Sequence, residues 1–180
     1  MDVTTETQTM IGQDEFRLVV DYSRYFSRIA QVLKTGWYNY IDPRINVRDF
    51  SLPLKSAKRG QADVIAKIVY PHPTNPNREA TLKKINDNKF RSANFFELQT
   101  FRENIAGNPK SFKVLALGSV HSYSFCLNWS EGVVDYQYSY AACLAHGNKD
   151  NKYSLLAVDI EPELDPNVGI LVIKKKLWEI

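Results

Sequence analysis

The sequence predicts an α+β fold, with N-terminal strand–helix units packed on a largely antiparallel C-terminal sheet. Three patterns carry that prediction. Phe16, Leu18 and Val20 alternate with Arg17, Val19 and Asp21, the period of a half-buried strand. Segments near 78–88 and 93–106 space their apolar residues three and four apart, the period of one helix face. Beyond Pro109 that spacing stops and five strand patterns follow, separated by Gly and Asn.

Taken in order, residues 1–13 (MDVTTETQTMIGQ) lack a periodic apolar face and are predicted to form a flexible tail. Residues 14–180 are predicted to form a single globular domain. Order begins with the strand at Glu15. Ser23 then offers a hydroxyl to cap a helix, whose buried face would be Phe26, Ile29, Ala30 and Leu33, with Gly36 as its stop. Trp37 to Pro53 reads as an irregular, ordered, apolar loop. Lys55, Lys58, Arg59 and Gly60 mark an exposed turn. Ala62 to Tyr70, rich in Val and Ile, is the second strand. Three prolines in 71–76 withhold backbone donors and exclude regular structure there.

A short helix over Arg78–Asn88 has one apolar and one basic face. A second, over Ala93–Ala106, presents Phe95, Leu98, Phe101 and Ile105, and Gly107 ends it. The five following strands are Phe112–Leu117, His121–Trp129, Val133–Leu144, Tyr153–Ile160 and Val168–Lys176. Glu131-Gly132 reads as a tight hairpin turn, with Gly supplying positive φ. That register pairs Trp129 with Val134, Leu127 with Tyr136, Phe125 with Tyr138 and Tyr123 with Tyr140. All eight would share one face.

Composition bounds the function classes. The chain has 180 residues, 44% hydrophobic and 24% charged, a globular balance. Its net charge of +3 is no footprint of a dedicated nucleic-acid binder. Cys126 and Cys143 form no CxxC pair, and residues 1–12 carry neither a basic start nor an apolar run. No stretch approaches the roughly 20 apolar residues of a membrane span. The expectation is a reduced, soluble, cytoplasmic protein that meets no membrane.

Motifs for chemistry are sparse. His72, His121 and His146 show no metal-ligand spacing, so neither metal nor cofactor is expected. Gly-rich phosphate loops are absent from the sequence. Gly118-Ser119-Val120-His121 lacks the G-x-S-x-G elbow. Ser119, His121 and Glu97 are nonetheless the candidate nucleophile, base and orienting acid of a small hydrolase or transferase. Asp159, Glu161, Glu163 and Asp165 read as a solvated acidic turn. Lys174, Lys175 and Lys176 read as protection of an edge strand.

The candidate binding residues are Tyr123, Trp129, Tyr136, Tyr138 and Tyr140 on the hairpin, with Lys83, Lys84 and Arg91 as basic companions. The aromatic face reads either as core against a helix or as an exposed platform. Tyr and Trp are enriched in interfaces, which favours a binding module with a protein partner. A weak nucleic-acid binder is the further alternative.

The ordered set FRLVVDYS, KFRSANFFELQTF, FKVLALGS and SLLAVDI resembles segments of small bacterial hypothetical proteins, a likeness that carries over no activity or site. KFRSANFFELQTF followed by short strands is also similar to C-type-lectin-like domains, without that family's disulfides or calcium motif.

Overall fold

The computed structural model describes residues 15–24, 38–46, 60–74, 76–105, 112–129, 132–147, 153–161 and 163–175; of Arg24, 123–129 and 132–137 it describes the backbone alone. The predicted tail, the turn at Lys55–Arg59 and the helix over 26–33 lie outside the described residues.

The strands are β1 (Glu15–Asp21), β2 (Tyr38–Ile41), β3 (Gln61–Val69), β4 (Phe90–Ser92), β5 (Phe112–Trp129), β6 (Gly132–His146), β7 (Tyr153–Asp159) and β8 (Gly169–Lys174). Two helices, α1 (Arg78–Asp87) and α2 (Phe95–Asn104), and a single 3-10 turn at Tyr22–Arg24 complete the described elements. All eight strands form one sheet in the order β1-β3-β8-β5-β6-β7-β2, with β4 beside β8.

That sheet contains the predicted antiparallel run of β5, β6 and β7 and otherwise corrects the predicted architecture. It is mixed, because β2 runs parallel to β7 and β5 parallel to β8. The N-terminal strands are not separate strand–helix units laid on a C-terminal sheet. β8 docks antiparallel to β3 and parallel to β5 and draws β1 and β3 into the same sheet. The β3–β8 pairing joins residues about a hundred positions apart, and no local pattern encodes it.

Each sheet face builds its own core, as strand alternation requires. On one face Leu18, Ala66, Val114, Leu144, Leu155 and Leu171 pack with α2 through Phe95, Leu98, Phe101 and Ile105. On the other, Leu115, Cys143, Ile170 and Val172 pack with Ile85 of α1. Both helices start at asparagine caps. Asn77 accepts from the Ala80 N–H. Asn94 accepts from Glu97 N–H, while Glu97 Oε2 accepts from Asn94 N–H, a reciprocal capping box. The apolar stripe of α2 is as predicted, but Phe96, Glu97, Gln99 and Thr100 are buried as well.

Four local expectations also change. Tyr38–Ile41, read as loop, forms β2, and Phe90–Ser92, left unassigned between the two predicted helices, forms β4. Each is too short to show a period. The two strands predicted over 112–129 are one strand, with a register shift between Leu115 and Val120. There Gly118 N–H donates to Ala93 O at 2.8 Å, so β5 swings toward β4. A Cβ on Gly118 would lie 2.7 Å from the carbonyl oxygens of both Ser92 and Ala93, so only glycine allows this approach. Finally, the hairpin turns one residue earlier. Trp129 pairs with Gly132, Phe125 with Tyr136, Tyr123 with Tyr138 and His121 with Tyr140. The register is displaced by two from the predicted one.

Candidate binding surface

Outward from Tyr123 and Tyr138, β5 and β6 pair only with each other among the described residues. The resulting two-stranded arm, from Tyr123 to Trp129, is about 20 Å long at the rise of an extended chain. A two-stranded hairpin by itself is marginally stable in water. The arm has a hydrogen-bonded base: Ser122 and Ser139 hydroxyls lie 2.8 Å apart, and Ile160 N–H donates to Ser139 O at 3.1 Å.

The predicted aromatic set divides at that base. Tyr140 is buried, its hydroxyl donating to Arg44 O at 2.8 Å, with the His121 ring 5.2 Å away. Tyr138 is 40% exposed. The side chains of Tyr123, Trp129 and Tyr136 lie outside the described residues; their backbones belong to the arm.

Beside Tyr138 lies a polar cleft of about 490 Å³ lined by Asn77, Arg78, Glu79, Ser139, Asp159 and Glu161. Arg78 bridges to Glu161 at 3.2 Å, and Arg44 reaches Asp159 at 3.3 Å. Arg44 also holds the end of β2 to its neighbours. It donates to both Asp42 oxygens and to Ala157 O. Those side-chain bonds hold the Asp42 carboxyl below the usual aspartate value. Sequence reading missed this cluster, since Asp42 and Ala157 lie 115 positions apart. Its one local trace was the acidic 159–165 segment.

The candidate catalytic residues are committed elsewhere. Glu97 is fully buried and receives Arg91 Nη1 at 2.9 Å and Nη2 at 2.6 Å, together with the Tyr22 hydroxyl. Ser119 Oγ accepts from Phe95 N–H at 3.0 Å at the start of α2. His121 lies on the arm side of the bulge, against Tyr140. No hydrogen bond joins Ser119, His121 and Glu97. The basic companions are separated too. Lys83 and Lys84 are exposed on α1, while Arg91 is engaged by Glu97.

Among the described residues no group of three His, Cys, Asp or Glu side chains could hold a metal, and no helix is long and apolar enough to cross a membrane. No protein-family model, curated protein or solved structure matches the chain.

Proposed function

We propose that this protein is a non-enzymatic binding module whose β5–β6 arm engages a protein partner. The observation that carries the reading is the two-stranded arm extending, among the described residues, past the last strand that supports it. A ribbon of that kind gains stability when another surface covers it. Its sequence is rich in the residue types that dominate interface energetics, Tyr, Trp and Phe. Exposed Tyr138 stands where the arm meets the cleft, so a partner lying along the arm would reach both.

The test is capture of partners from native-host lysate by the full chain, with and without nuclease, alongside a Tyr138→Glu variant. Proteins held in both nuclease conditions and lost by the variant support the reading. Equal retention by Tyr138→Glu refutes the arm as the contact surface. Retention only without nuclease replaces the protein partner with nucleic acid.

A further inference from the structure

A second concave surface lies between the end of β3 and α1. It is a groove of about 380 Å³ whose apolar floor and wall come from Ile85, Phe90 and Val172. A lobe of about 310 Å³, bounded by His72 and Thr74, shares Tyr70, Thr81 and Lys84 with it. Tyr70 is 58% exposed, yet it is placed rather than loose. Its ring edge and the Ile68 side chain lie over Gly169, where a Cβ would sit 3.5 Å from Tyr70 Cε1 and 2.5 Å from Ile68.

The charged side chains that line this groove have one sign, with Glu15 opposite Lys67 in the β1–β3 register. Lys67 and Lys84 line it, and no Asp or Glu lines either lobe among the described residues. Neither lysine has a carboxylate partner among the described residues. An apolar floor, an aromatic wall and two ammonium groups with no ion-pair partner among the described residues call for a ligand with the complementary parts. The geometry points to a binding site for a small aromatic anion, its ring against Tyr70 and Phe90 and its carboxylate or phosphate toward Lys67 and Lys84. This site is independent of the arm.

The full chain, labelled at its Ile and Val methyls, is titrated by NMR with 1-naphthoate, 1-naphthyl phosphate, 1-naphthalenemethanol and 1-naphthylmethylamine. The expected result is saturable shifts at Ile85 and Val172 with an anion, weaker ones with the alcohol and none with the amine. The tighter of the two anions identifies the head group. Lys84→Gln is expected to weaken anion binding about tenfold, the loss of one charge-assisted hydrogen bond, and to leave the alcohol unchanged. Tyr70→Ala is expected to weaken anion and alcohol alike. Tyr70 and Lys84 are exposed, so retained methyl dispersion separates lost binding from lost folding. Absence of saturable shifts with both anions, amine binding equal to the anions, or undiminished binding by Lys84→Gln would each overturn the proposal.

Discussion

Glu97 shows how one side chain serves several backbone and side-chain needs at once. It completes the cap of α2, pairs with Arg91 across the β4–α2 connection and accepts from Tyr22 at the end of β1. Removing it takes the carboxylate away from partly buried Arg91, takes an acceptor from the Tyr22 hydroxyl and leaves the cap half made. Glu97→Ala is therefore expected to lower stability by roughly 3 kcal/mol, read as a shift in urea midpoint at constant slope. A change under about 1 kcal/mol would refute this account. Tyr22 and Tyr38 make a second prediction. Burial raises the pKa of both phenols from the ordinary 10.0, with Glu97 adding to the effect at Tyr22. Each holds its proton more tightly folded than unfolded. The stability they contribute is whole below pH 10.0 and is lost as pH rises toward the folded values. The urea midpoint should fall above about pH 10, and fall less steeply in the Tyr22→Phe/Tyr38→Phe double variant. An identical slope in the variant would count against burial as the cause.

At the scale of elements, the bend in β5 decides where two other elements sit. Gly118 lets β5 leave the β6 ladder and meet 92–93, which opens the place beside β8 that β4 fills. The following Ser119 then satisfies the Phe95 N–H at the start of α2. Gly118→Ala puts a methyl 2.7 Å from two carbonyl oxygens, and rigid backbone must move. A loss of about 1–3 kcal/mol is expected on thermal or urea unfolding. Gly147→Ala provides the comparison: its added Cβ meets nothing within 4 Å, and stability should change by under about 0.5 kcal/mol. Equal effects at the two glycines would refute the close-approach argument. The existence of α1, α2 and most strands is legible because each has several turns or alternations of pattern. β2 and β4, with four and three residues, offer too few positions to establish a period.

For the whole molecule, the sheet carries cores on both faces, whereas the arm stands beyond its last supporting strand among the described residues. On the proposed reading, the arm serves partner binding and adds little to the stability of the sheet. A shortened chain joining Ser122 to Ser139 through Asn-Gly, a favoured two-residue hairpin turn, tests that division. It should unfold cooperatively with Tm within about 4 °C of the full chain, the scale of about 1 kcal/mol in a domain of this size, while losing partner capture. Loss of cooperative folding would place the arm in the core instead.

The sequence by itself determined the two described helices and most of the strands, the α2 stripe and the existence of the hairpin. These rest on neighbours within about eight residues, where side-chain period and capping chemistry act. It also reached the arm as a candidate: the displacement by two residues changes every partner but preserves side-chain parity along the strands, because that period is two. Only tertiary structure decided that β8 lies between β3 and β5, that β2 runs parallel to β7, and that Tyr140 is buried while Tyr138 is exposed. It alone brought Asp42, Arg44 and Asp159 together, and Lys67 with Tyr70 and Lys84. The physical reason is the same in each case. Strand order, burial and charge pairing depend on which distant surfaces meet, and a residue's local period records its own face without naming the face opposite.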